Sequence, residues 1–253
     1  MSEGWRIGYR EARVARCGDR LDEPDRYCIK SGASANLTRR RRLHYGSSDF
    51  RSRLDCPPGL PALNPPIPPI PLSPFDVLLP GLPVVFCGIN PSPLAAQSGH
   101  NFGSASNRFW PALHRAGFTA ERLRAEDDRA LLREGCGITA MATRATRRAT
   151  DLAAGEMSDA VAPFRAKIAY FRPGAVAFLG KPAYAAIAGR REIEWGEQPE
   201  RFEATRAWVL PNPSGLNRAF TLDRLVEAYA ALRLAMAAEL AAWRLGQEDR
   251  DCA

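Results

Sequence analysis

Four short apolar runs constrain this chain most. They are Leu82–Ile89, Gly137–Met141, Ala175–Gly180 and Ala207–Pro211, each lying close to Gly, Pro or Asn. Each is short for a helix and apolar without alternation, the pattern of a strand buried on both faces. Helix-like stretches separate them. Asn107 is placed to cap a helix with Pro111 in its first turn and Gly117 at its stop. Residues 121–134 read as a polar-faced helix, and Asp159 reads as the cap of a helix carrying Val161, Phe164, Ile168 and Phe171. The longest helix is expected near 221–243, with Leu222, Leu225, Val226, Tyr229, Leu232 and Met236 on one stripe. Strands alternating with helices give an α/β fold with a mainly parallel sheet covered on both faces. Such sheets carry their sites at the carboxyl ends of the strands. Two polar loops follow strand-like runs, one from Asn90 and one from Asn212, so both are expected to face one crevice.

Residues 1–75 have a different texture. They show no sustained helical or strand period, and Pro57–Pro74 is dense in proline, which removes backbone donors and fixes φ. A disordered Arg/Pro-rich tail is expected there, followed by a folded domain at 76–245 and a flexible C-terminus at 246–253. The net charge of +7 invites an anionic partner, but most of the excess lies in the tail, including Arg39 to Arg42. The folded part is close to neutral. The tail's charge reads either as a solvated disordered segment or as an electrostatic DNA tether.

Several classes are disfavoured by what the sequence lacks. No apolar run approaches the roughly 18–20 residues of a bilayer-crossing helix, so no membrane partner is expected. The first residues carry no apolar signal core, and the six Cys include no C-x-x-C pair. A cytoplasmic protein without a zinc ribbon or disulfide framework is expected. Three widely spaced His, at 44, 100 and 114, leave little for a His-based metal site, so no metal is assigned.

The loop from Gly88 to Phe102 contains neither a G-x-G-x-x-G nor a Walker A fingerprint. Asn90 precedes Pro91, which biases it to an extended or turn form. Its amide serves either to stabilise the turn or to hold a water with one group while another contacts a substrate. An amide is a poor general base, so hydrolysis built on it depends on positioning and on a good leaving group. In the second loop, Leu216 stands among Gly215, Asn217 and Arg218 just before a helix. It is either a hydrophobic staple or an exposed wedge of the kind that enters a base stack.

These residues form an ordered set of motifs. Gly88-Ile89-Asn90-Pro91, then Gly99-His100-Asn101-Phe102, Asn107-Arg108-Phe109-Trp110, and late Asn212-Pro213-Ser214-Gly215-Leu216-Asn217-Arg218 resemble the mismatch-specific uracil/thymine-DNA glycosylase family. Gly137-Ile138-Thr139 with Arg144 and Thr146 looks like a further shared block. The resemblance spans roughly 77–236. It implies a three-layer α/β/α fold around a short, mainly parallel sheet. It also implies a monofunctional, metal-free and cofactor-free enzyme, acting as a monomer on double-stranded DNA with a G·U or related mismatch. The target base is flipped out and its N-glycosidic bond hydrolysed, leaving an abasic site. By resemblance, Asn90 positions the water, and Ile89, Ala95, Phe102 and Asn212 line or contact the base. Leu216 fills the vacated space, with Ser214, Gly215, Asn217 and Arg218 around the opposite guanine and the backbone.

The chain departs from the family pattern at Ser92, where Gly is common, at the following Pro93, and at Asn217, which replaces Ser. Ala95 is Ser in some bacterial members and Ala in thymine-cleaving relatives; its small side chain leaves room for a 5-methyl group. Two other readings compete. A catalytically inactive nucleic-acid-binding module on the same fold would bind in a salt-sensitive way without base release. An enzyme acting on free nucleosides would have no use for the Leu216 wedge.

Overall fold

The computed structural model describes residues 72–153 and 155–251. The expected tail therefore lies outside the described residues up to residue 71. Five strands form one sheet: β1 (Val84–Gly88), β2 (Cys136–Ala140), β3 (Ala175–Leu179), β4 (Gly196–Glu197) and β5 (Arg206–Leu210). Their order is β2-β1-β3-β5-β4, and every pair is parallel except the short edge pair of β4 with β5. The four apolar runs of the sequence are β1, β2, β3 and β5. The mixed α/β architecture expected from the alternation is thus the one observed.

Successive side chains explain why those runs are apolar throughout. In β3, Ala175, Ala177 and Leu179 enter one core, while Val176 and Phe178 enter the other. The first core packs the sheet against α2 (Phe109–Arg115), α5 (Leu222–Ala235) and α6 (Ala237–Asp251). Phe86 lies at its centre, edge-on to Phe109 and Phe118 at 5.4 and 5.3 Å. The second core packs the sheet against α3 (Glu156–Phe171) and α4 (Lys181–Ala188), through Phe164, Ile168, Ala183 and Tyr184. With both faces covered, a strand has no polar side to present.

The chain leaves β1 for β2 on one side and later returns to β3 on the other. β1 and β3 therefore flank the switch in winding direction, and sheets of this kind carry their sites beyond the strand ends at such a switch. The segment entering the domain is pinned beside β2. Val77 bridges Ile138, and the Asp76 carboxylate, its side chain shielded from solvent, accepts bonds from Thr139 Oγ1 at 2.6 Å and Lys167 Nζ at 2.8 Å. A buried carboxylate is tolerable here because it is both paired and hydrogen-bonded.

Four helix expectations need correction. Residues 121–134 do not form an α-helix; Ala125–Leu132 is 3-10 and breaks at Asp127. Asp128, next to the break, turns inward and accepts bonds from Asn101. The helix expected to start at an Asp159 cap begins at Glu156 instead, with Gly155 at the cap position. The long helix expected over 221–243 is two helices, α5 and α6, broken at Met236 (φ −113°, ψ 19°). Arg206 Nη1 takes the Ala235 carbonyl freed at that break, at 3.0 Å. Finally, Arg108 occupies the cap position of α2, while the Asn107 side chain accepts from Phe109 N at 2.9 Å. At the far end α6 continues to Asp251, past the boundary expected at 245.

Candidate functional site

The loop after β1 is zipped to the segment after β2. Gly88 O, Ile89 O and Pro91 O accept from Met141 N, Ala142 N and Thr146 N at 2.9, 2.8 and 3.1 Å. Between them Asn90 is held by both of its amide protons. Its Nδ2 donates to Arg144 O at 2.9 Å and to Thr146 Oγ1 at 2.6 Å. Thr146 spends its own proton on Arg148 O at 2.7 Å, so its oxygen is an acceptor toward Asn90. These bonds fix the amide orientation and leave Oδ1 as its free acceptor among the described residues.

Arg144 supplies a carbonyl to Asn90 while its guanidinium turns elsewhere. Its Nε and Nη2 bind the Glu156 carboxylate at 2.6 and 2.7 Å. The Arg144 hydrogen bond, aided by the backbone amide of Ala153, pushes the Glu156 carboxyl down to about 2. The ion pair thereby ties the start of α3 to the segment that orients Asn90.

Ser92 and Pro93 begin α1 (Pro93–Ser98). Ser92 Oγ accepts from Ala95 N at 3.1 Å, and Pro93 fills the first turn, where its missing N–H costs nothing. Ala95 is buried on the inner side of α1, and Ile89 is buried in the α3-side core. Phe102 is half-buried and takes a left-handed φ of 56°. Such a conformation costs a non-glycine residue on the order of 1–3 kcal/mol and persists only when its surroundings over-determine it. Here Asn101 donates to Asp128 Oδ2 and to Phe75 O, and the Phe102 ring stacks on Phe109 at 4.0 Å.

The last strand delivers a second asparagine. Asn212 Oδ1 accepts from Ser214 N at 2.8 Å, so its Nδ2 is the end left free among the described residues. The two asparagines are therefore locked with opposite polarity: Asn90 offers an acceptor and Asn212 a donor. Asn212 also lies against Gly180 at the end of β3, where a Cβ would stand 3.6 Å from its own.

Beyond Asn212 the loop carries Leu216 outward, 67% exposed, which removes the staple reading. Asn217 Nδ2 reaches back to Asn212 O at 2.8 Å. Gly215 approaches Ser106 so closely that a Cβ would lie 2.5 Å from the Ser106 side chain. Arg218 is exposed and makes no hydrogen bond or ion pair with the described residues. Ser214 Oγ accepts from Leu216 N at 3.3 Å. Among the described residues, no group of three or more His, Cys, Asp or Glu is disposed to hold a metal ion.

A family model for the uracil DNA glycosylase superfamily matches residues 75–233. The chain belongs to that superfamily. Its general chemistry is that of a DNA N-glycosylase, a hydrolase of DNA repair. The matched stretch holds Asn90, Phe102, Asn212 and the Leu216 loop, and it ends within α5.

Sequence reasoning placed Arg108 in a motif but gave it no task. The structure gives it four acceptors in the Leu216 loop: Pro213 O, Ser214 O, Asn217 O and Phe220 O. Those partners lie more than 100 positions away, and no local signal announces backbone carbonyls as partners. Asp128 was missed for a related reason: an acidic residue in a polar stretch reads as solvated until the fold turns it inward.

Proposed function

We propose that this chain is a monofunctional mismatch-specific glycosylase that removes uracil opposite guanine from double-stranded DNA. The observation that carries the reading is the opposite locking of Asn90 and Asn212 at two strand ends. Hydrolysis of an N-glycosidic bond needs an acceptor to orient a water and a donor for the charge growing on the departing base. Asn90 Oδ1 and Asn212 Nδ2 are those two groups.

The uracil leaves the duplex, stacks on Phe102, and is enclosed by the loop that carries Ile89 and Ala95. Leu216 enters the space left behind. Ser214, Gly215 and Asn217 face the widowed guanine, and Arg218 braces the nearby phosphate backbone. As the bond from C1′ to N1 breaks, its electron pair leaves with the uracil. The water held at Asn90 forms the new bond to C1′, and its proton passes to solvent. Asn90 takes no proton, so positioning does the work and turnover is slow. Flipping costs least at a mismatch, which favours G·U over A·U. The small Ala95 side chain leaves room for the 5-methyl of thymine, and ethenocytosine is a further substrate. No metal or cofactor has a part in the reading, which takes the protein as a cytoplasmic monomer.

A single-turnover assay on labelled duplexes with G·U, A·U, G·T or G·ethenocytosine tests it, with alkali cutting the abasic product. Cleavage of G·U that is lost by more than about a hundredfold in Asn90→Ala, with DNA binding retained, is the expected result. Full activity in Asn90→Ala would refute the mechanism. Binding without base release by the wild-type protein would turn the reading to the inactive module.

A further inference from the structure

We propose that Arg108 is the positioning residue that presets Leu216 for insertion into the duplex. This rests on the glycosylase reading and deepens it. The tip of the loop projects without ladder support; Gly215, Leu216, Arg218 and Ala219 are all exposed. Short-range bonds shape the loop itself, such as Asn217 Nδ2 to Asn212 O at 2.8 Å and Asn217 N to Ser214 O at 2.9 Å, and one guanidinium ties its two ends to the start of α2. Arg108 Nε donates to Pro213 O at 3.3 Å, Nη1 to Phe220 O at 2.5 Å, and Nη2 to Ser214 O and Asn217 O at 2.8 and 2.7 Å. The backbone N–H of Arg108 adds a bond to Pro213 O at 3.0 Å.

Arg108 therefore touches the loop before and after Leu216 and closes it like a ring. A planar fork of donors can serve several carbonyls at once; an ammonium cannot hold the same set in the same plane. Among the described residues all of its partners are neutral carbonyls, with no carboxylate to cancel the charge of Arg108 beneath a loop that meets an anionic duplex. Without the fork, the loop keeps only its own short-range bonds, and the further ordering that insertion requires is subtracted from the free energy available for flipping.

A second link follows from position. Arg108 immediately precedes Phe109, whose ring stacks on Phe102. Ser106, just upstream, is in contact with Gly215. The loop that fills the vacated stack and the ring that receives the flipped base are thus joined through one short stretch, 106–109.

The test compares uracil in a G·U duplex with uracil in a bubble of non-complementary bases, where little flipping work remains for a wedge. The proteins are wild type, Arg108→Ala, Arg108→Lys, Leu216→Ala and the double variant, each shown to be folded by its melting curve. Arg108→Ala should lose about tenfold or more in single-turnover rate on the duplex and no more than about threefold on the bubble. Arg108→Lys should not restore the duplex rate. The double variant should be no slower than Leu216→Ala, because both changes remove the same step. Equal losses on duplex and bubble, additive effects with Leu216→Ala, or full rescue by Lys would each overturn the proposal while leaving the glycosylase reading intact. Should Arg108→Ala not fold, Arg108→Gln carries the same comparison. Wild-type protein that releases uracil from neither substrate would overturn the parent reading and this proposal with it.

Discussion

Thr146→Val is the change that most directly tests how Asn90 is oriented. Valine keeps the volume of threonine and removes the hydroxyl. That hydroxyl accepts from Asn90 Nδ2 at 2.6 Å and donates to Arg148 O at 2.7 Å. The bond from Asn90 to Arg144 O, at 2.9 Å, survives. Asn90 is half-buried, so water can take over part of what is lost. The net cost to folding is then about 1–2 kcal/mol for two neutral hydrogen bonds, a fall in Tm of roughly 2–8 °C. The effect on rate comes from the amide, which is now held by one bond and can turn its oxygen away from the water. Losing about 1 kcal/mol of orienting energy lowers the single-turnover rate roughly fivefold. Affinity for an uncleavable duplex should not change, because nothing in the Leu216 loop is touched. Thr146→Ser, which keeps the hydroxyl, should stay within about twofold of wild type. A Thr146→Val rate equal to wild type, or a loss confined to DNA affinity, would refute the proposed orientation of the amide.

Two further outcomes follow from the charged groups. The Glu156 carboxyl sits at about 2 in the folded protein against a usual 4.5, so its pairing with Arg144 stabilises the fold fully above about 4.5. That contribution disappears as the pH falls through 2. Melting curves of wild type and Glu156→Gln should therefore differ most near neutrality and converge in acid; a gap independent of pH would count against the ion pair. Lys167→Met strands the Asp76 carboxylate, which is 1% exposed and now binds Lys167 at 2.8 Å. The expected loss is about 3–5 kcal/mol, with most of it recovered when Asp76→Asn is added. A double variant as unstable as Lys167→Met alone would show that the ion pair is not what the mutation removes.

The legible and illegible parts of this chain divide by where the interaction partners lie. β1, β2, β3 and β5 could be read because both faces of each are covered and the runs are nearly all apolar, with the buried Thr139 of β2 satisfied by Asp76. The edge strand β4 has two residues and no such signature. The break at Met236 was invisible because the apolar stripe runs on through it, and the group that stabilises the break, Arg206, comes from the neighbouring strand β5. In the site, Asn90 and Leu216 stood out because each is out of character with its loop: an amide before proline, and an apolar residue among polar ones. The groups that orient them did not. Thr146 is 56 positions from Asn90, and the carbonyls that bind Arg108 carry no side-chain label at all.

The use of two amides, rather than a carboxylate, shapes what the site can do. A carboxylate in the place of Asn90 would face the carbonyl of Arg144 at hydrogen-bond distance, acceptor against acceptor, and would have to be displaced or protonated. The local backbone is therefore built for an amide. An amide cannot remove the proton of the water, and the step must wait until the bond to the base is already well stretched. In the proposed mechanism catalysis then falls on the groups that stabilise the departing base and on those that hold it outside the helix. This is where the structure concentrates its bonding: Asn212 is fixed by its own loop, Phe102 is held in a strained conformation against Phe109, and the Leu216 loop is gathered onto Arg108. On the proposed reading the chemistry at C1′ is modest, and the fold's effort goes into the base-flipped state that makes it possible.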